Sequence, residues 1–140
     1  MTPCELWVAA EHASMPGVLA WLDALCAALG VPADDGKRLA IIIEELFLNT
    51  VDHGYGESGT PGAHAPGRAA PIRYRLARLD AVTVELTQED AGPPFDITDA
   101  TPQTATLERV GGLGIAMVQG MSKTLSYRRE GGRNITAVTL

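Results

Sequence analysis

The stretch Ile41-Ile42-Ile43-Glu44-Glu45-Leu46-Phe47-Leu48-Asn49-Thr50-Val51-Asp52-His53-Gly54-Tyr55 constrains the fold more than any other part of the chain. Leu39, Ile42, Ile43, Leu46 and Thr50 recur at helical spacing and form an apolar stripe that has to be buried. Glu45 and Asn49 stand four residues apart, so they lie one turn above the other along the edge of that stripe. Asn49 offers a neutral oxygen to a hard cation and Glu45 offers a base, which suits the floor of a polar pocket. The same two residues are also compatible with a solvated helix edge. Gly54 is expected to end the helix.

The rest of the chain reads as one domain over residues 1–140. Glu5 to Ala10 reads as a first strand. Ser14 and Pro16 suit the cap and first turn of a helix whose apolar positions run from Val18 to Leu29, with Gly30 as its stop. Pro32 opens the second helix, with Asp34 and Asp35 at its positive end. Residues 54–71 are rich in Gly and Pro and are expected to form a mobile surface loop. Ile72 to Leu79 and Val82 to Thr87 alternate apolar and polar residues, as half-buried strands do, with Asp80-Ala81 as a tight hairpin. Gly114 to Met121 reads as a third helix with Ile115, Met117 and Val118 partly buried. Thr124 to Arg129 and Asn134 to Leu140 read as a closing hairpin around Gly131-Gly132. That order favours an α/β two-layer sandwich, a mixed or antiparallel β-sheet with helices on one face.

Composition narrows the partners. A formal net charge of −6 argues against a nucleic-acid surface. No apolar run is expected to span a membrane, and the start Met1-Thr2-Pro3-Cys4-Glu5 lacks a signal-peptide pattern. Cys4 and Cys26 have no metal-ligand spacing and read as reduced thiols, so a cytoplasmic location is expected.

Two further stretches carry chemistry. In Asp90-Ala91-Gly92-Pro93-Pro94-Phe95-Asp96, Asp90 can accept a hydrogen bond from an exocyclic amine, and Gly92 lets backbone approach a flat ring. A plain turn followed by prolines fits the same residues. In Gly111-Gly112-Leu113-Gly114-Ile115, free N–H groups before a helix suit phosphate. A flexible hinge fits as well. No Lys-Ser/Thr follows, so this is not a P-loop, and no βαβ unit surrounds it, so it is not a dinucleotide fingerprint.

Together, Glu45-x-x-x-Asn49-x-x-x-His53-Gly54-Tyr55, Asp90-x-Gly92-x-Pro94-Phe95-Asp96 and Gly112-Leu113-Gly114-Ile115 resemble the N, G1 and G2 boxes of the Bergerat-fold ATPases, which include gyrase and the catalytic domains of histidine kinases. The Pro94-Phe95-Asp96 ending and Gly132-Arg133-Asn134 resemble the small bacterial anti-sigma-factor serine kinases of the RsbW and SpoIIAB type. The resemblance covers nearly the whole chain. It implies ATP and Mg²⁺ as cofactors, with Asn49 as the Mg²⁺ ligand and Glu45 as general base. It places Asp90 on the adenine amine, Gly92 beside the ring, and Gly112, Leu113 and Gly114 in an ATP lid over residues 93–114. It places Asn134 near the adenine, where relatives often use Thr, and His53 either in the pocket or as a cap on its own helix. Pro94 departs from the histidine kinases, which have a glycine there, and residues 54–71 are longer than a minimal member needs.

The resemblance implies an anti-sigma serine/threonine protein kinase that phosphorylates an anti-anti-sigma (STAS-type) protein and sequesters a sigma factor, with a homodimer as a possible assembly. The alternatives are a non-catalytic, ATP-dependent partner-binding switch and a stand-alone kinase or ATPase module acting in trans.

Overall fold

In a computed structural model of the chain, residues 2–52, 70–99 and 111–140 are described. Most of the expected loop 54–71, the middle of the expected lid, and His53 lie outside them. Strand β1 (Glu5–Val8) is shorter than its apolar run and leads through a 3-10 turn at His12–Ser14 to helix α1 (Met15–Leu29). Pro16 sits in the first turn as expected, but Ser14 makes no side-chain cap. The turn already satisfies the entry, with Ser14 N–H donating to Glu11 O at 3.0 Å. Gly30 closes α1 in the left-handed region at φ 68°, where a side chain would be strained.

His12–Leu29 is 18 residues of mean hydropathy 1.2, long and apolar enough to cross a membrane by composition, which the sequence reading did not expect. In the fold, Val18, Trp21, Leu22, Leu25 and Cys26 of this segment are buried in the core.

Helix α2 (Ala33–Asn49) carries Asp34 and Asp35 in its first turn. It buries Leu39, Ile42, Ile43 and Leu46 as the spacing predicts, and Phe47 besides. The α-helix was expected to continue to Gly54, but after Asn49 the backbone passes into a π-type turn at residues 50–52. Two long-range contacts hold that turn: Gln88 Nε2 donates to Thr50 Oγ1 at 2.8 Å, and His12 Nε2 meets Asp52 Oδ1 at 2.6 Å. Such turns recur at functional sites.

Strands β2 (Ile72–Arg78), β3 (Val84–Asp90), β4 (Thr124–Glu130) and β5 (Arg133–Thr139) join β1 in one sheet of order β1-β2-β3-β5-β4, every neighbour antiparallel. Helix α3 (Gly111–Met121) enters the chain before β4 and packs against α2. The sandwich is therefore of the expected kind, with an antiparallel sheet. The β2–β3 connection is wider than the tight hairpin expected at Asp80-Ala81. Leu79 N–H closes it on Thr83 O at 2.8 Å, while Asp80 Oδ1 accepts from Val82 N–H at 2.8 Å, a side-chain turn that takes up extra residues. The β4–β5 hairpin turns at Gly131 and Gly132, both left-handed at φ 59° and 77°.

One face of the sheet meets the helices. Tyr74, Leu76, Leu86 and Val138 on that face share a core with Leu22, Ile42, Phe47 and Val118. Ile115 and Val118 of α3 are buried there, whereas Met117, expected to be partly buried, is 39% exposed.

Tyr74 gives the core a pH dependence. Its hydroxyl donates to Gln88 Oε1 at 2.7 Å. Burial, reinforced by the Asp90 charge, holds its pKa well above the ordinary value of 10.0. Near pH ~10 an unfolded chain loses this proton while the folded chain keeps it. The stability from this group is thus complete below that pH and is lost as pH rises above it. Between about pH 9 and about pH 11, the thermal midpoint of the wild type is expected to fall more steeply than that of Tyr74→Phe. The variant costs about 1 kcal/mol at neutral pH through the lost hydrogen bond. Parallel slopes in the two proteins would refute the assignment.

Candidate functional site

The pairing of β3 with β5 builds the site. On the helix-facing side β3 changes from Val84 and Leu86 to Gln88 and Asp90. In the opposite direction, β5 changes from Asn134 and Thr136 to Val138. Asp90 lies opposite Asn134 and Gln88 opposite Thr136, so the four polar residues gather at one end of an otherwise apolar layer. All four are buried. Helix α2 adds Leu46 and Asn49, the π-type turn adds Thr50, and the segment after β3 adds Pro93, Pro94, Phe95 and Ile97. Together they line a cavity of about 140 Å³.

Buried polar groups need partners, and most here have them. Tyr74, Gln88 and Thr50 form a chain of hydrogen bonds of 2.7 and 2.8 Å that ties β2 and β3 to the π-type turn. The carboxylate of Asp90, 5% exposed, accepts from Gly92 N–H at 2.9 Å and from Asn134 Nδ2 at 3.0 Å. Both bonds fall on Oδ1, and neither uses Oδ2. Asn134 Nδ2 also donates to Pro93 O at 2.8 Å. Asn134 Oδ1 accepts from Arg129 Nη1 at 2.9 Å and from the Tyr127 hydroxyl.

Asn49 is the exception. It is 8% exposed, and its Nδ2 has no hydrogen-bond partner. A buried amide left unmatched costs roughly 1–3 kcal/mol, and the residue that bears it lines the cavity.

Glu45 does not line this cavity. Its carboxylate lies against Gly114: a Cβ built there would overlap Oε2 and stand 2.6 Å from Cδ. Gly111-Gly112-Leu113-Gly114, expected as a loop leading into a helix, are already helical in backbone. Packing of α3 on α2 outweighs the poor helix propensity of glycine. The change places Gly112, Leu113 and Gly114 at the start of the described helix, where a helix N-terminus would offer N–H groups and the positive end of its dipole.

The structure thus brings Asn49, Asp90 and Asn134 onto one cavity and Gly92 onto Asp90, and places Glu45 and Gly114 against each other. The sequence reading did not single out Gln88, Thr136, Tyr127 or Arg129 for the site. The period-two alternation through Leu86, Gln88 and Asp90 was the signal that would have found Gln88. Tyr127 and Arg129 carried no such signal, because their importance depends on pairing with β5.

Comparison with known proteins gives the family. Residues 8–140 match the family described as the histidine kinase-like ATPase domain. The chain belongs to that family. No curated protein sequence matches it closely enough to count as a relative. Among solved structures, a chain of the SiaB-SiaC complex from Pseudomonas aeruginosa matches with a TM-score of 0.66 at 12% identity, over 97% of this chain and 88% of that one. The histidine kinase domain of the blue-light activated histidine kinase EL346 from Erythrobacter litoralis matches with a TM-score of 0.56 at 16% identity, over 87% of this chain and 59% of that one. At these identities the likeness is one of fold. Membership of that family implies ATP binding, and in this chain the cavity between α2, β3 and β5 is where buried polar groups gather.

Proposed function

We propose that the protein is an Mg-ATP-dependent serine/threonine protein kinase that regulates a sigma factor and phosphorylates a STAS-type partner. The observation that carries the nucleotide part is the buried Asp90 carboxylate on the cavity wall, with Oδ2 unused by its internal bonds. Asp90 takes the adenine amine as an acceptor. Asn49 supplies its amide oxygen to Mg²⁺. Among the described residues no cluster of three His, Cys, Asp or Glu could hold a metal. Mg²⁺ keeps several waters and is shared with substrate phosphates, so a single protein oxygen would be enough to hold it. Bound there, the ion neutralises phosphate charge.

Glu45 stands one helical turn before Asn49 and supports the kinase reading. It takes the proton of the attacking serine or threonine hydroxyl as that oxygen bonds to the γ-phosphorus and the terminal phosphate bond breaks, releasing ADP. The first turn of α3 offers backbone N–H groups to the phosphates. The fold likeness to a chain solved within a two-protein complex supports a protein partner. A non-catalytic switch is the second reading, favoured by Phe95. It lines the cavity yet is 45% exposed, so nucleotide in the cavity would alter a surface that a partner can read.

Calorimetric titration with ATP, with and without Mg²⁺, tests the nucleotide part. Asp90→Asn is expected to weaken ATP binding by about 10- to 100-fold, the worth of one hydrogen bond to a charged group. Asn49→Ala is expected to leave weak binding that no longer responds to Mg²⁺. Absence of ATP and ADP binding by the wild type at millimolar nucleotide would sink the proposal.

A further inference from the structure

The carboxamide of Asn134 has two ends, and the fold distinguishes them. Its Nδ2 faces only acceptors: Asp90 Oδ1 at 3.0 Å, Pro93 O at 2.8 Å and Gly92 O at 3.4 Å. Its Oδ1 faces donors: Arg129 Nη1 at 2.9 Å, the Tyr127 hydroxyl, and Phe95 N–H at 3.4 Å. An inverted amide would set N–H against the guanidinium and oxygen against a carboxylate and two carbonyls. Arg129 has no acceptor and cannot adapt to that inversion, whereas the Tyr127 hydroxyl can. Arg129 is itself anchored by Gly92 O at 2.9 Å and Gly132 O at 3.2 Å. The edge strand β4 thus supplies the two side-chain donors that, with the acceptors around Nδ2, set which way Asn134 points.

The orientation of Asn134 has a consequence at Asp90. With Asn134 Nδ2 and Gly92 N–H both on Oδ1, the carboxylate is held against rotation, and Oδ2 is the acceptor left over. A fixed acceptor suits a purine with an exocyclic amine at that place and repels one with a carbonyl oxygen there. We infer that Arg129 is a positioning residue for nucleobase selectivity: through Asn134 it fixes Asp90 as an acceptor for an amino-purine nucleotide against an oxo-purine nucleotide. The inference rests on the nucleotide reading of this cavity. Arg129 touches no base. It acts through a relay that also fastens the backbone carbonyls of Gly92 and Pro93.

Calorimetry with Mg-ATP and Mg-GTP on the full chain tests this, with thermal unfolding as a check on folding. The wild type is expected to prefer ATP. Arg129→Met keeps the aliphatic stem and removes the donors. It is expected to weaken ATP binding about tenfold while GTP changes by less than about twofold, so the selectivity ratio collapses. Arg129→Lys keeps one donor for Asn134 Oδ1 and is expected to recover part of the ratio. If Arg129→Met does not fold, Tyr127→Phe removes the other side-chain donor and is expected to compress the same ratio. Equal losses for ATP and GTP would reduce Arg129 to a structural role and overturn the inference. A wild type that binds both nucleotides equally overturns it too, while leaving the nucleotide reading intact. A wild type that binds neither removes both.

Discussion

Glu45→Gln is expected to bind ATP and its protein partner as the wild type does, yet to transfer phosphate about 10²–10⁴-fold more slowly. The substitution keeps the length and hydrogen-bonding capacity of the side chain and removes only its capacity to take a proton. Glu45 does not line the cavity that would hold the base and Mg²⁺, so nucleotide affinity has no reason to change. Glu45 stands one turn before Asn49 and against Gly114 of the helix with the glycine-rich start. The assay is transfer of labelled phosphate to a cognate STAS protein at saturating ATP. A wild type that transfers nothing, while ATP still changes partner affinity, would leave the switch as the surviving reading. A variant as fast as the wild type would mean another group takes the proton.

How much of this was legible in the sequence depended on how local each signal was. The α2 stripe of Leu39, Ile42, Ile43 and Leu46 was readable because one helix repeats its own pattern. Phe47 was missed because burial on a second side depends on what packs there. The alternation in β2 and β3 was readable for the same reason as the stripe, and so was the turn at Gly131-Gly132. The exit from α2 was not, because Gln88 and His12 hold residues 50–52 from far along the chain. The first turn of α3 was misread because four residues with three glycines look like a loop, and only packing on α2 makes them helical. In the site, Asn49 and Asp90 were visible as motif residues. The relay through Arg129 and Tyr127 was not, because it exists only once β4 lies beside β5.

Gly114→Ala is expected to preserve the fold and still lower phosphoryl transfer by about 10²-fold or more, approaching the loss of the base itself. The added methyl would overlap Glu45 Oε2 and stand 2.6 Å from Cδ, and these atoms end a flexible side chain. The collision is relieved by swinging Glu45 aside rather than by moving α3 away from α2. Alanine is a better helix former than glycine, which offsets part of the cost of moving Glu45, so cooperative thermal unfolding is expected to persist. Catalysis is less forgiving, since a base displaced by about an ångström no longer reaches its proton. The resemblance to the G2 box gives Gly114 a different task, contact with the phosphates. A double-mutant cycle separates the two. If Gly114 works through Glu45, adding Gly114→Ala to Glu45→Gln costs almost nothing further, because the base is already gone. If it works on the phosphates, the methyl costs the same in both backgrounds and raises the ATP dissociation constant as well.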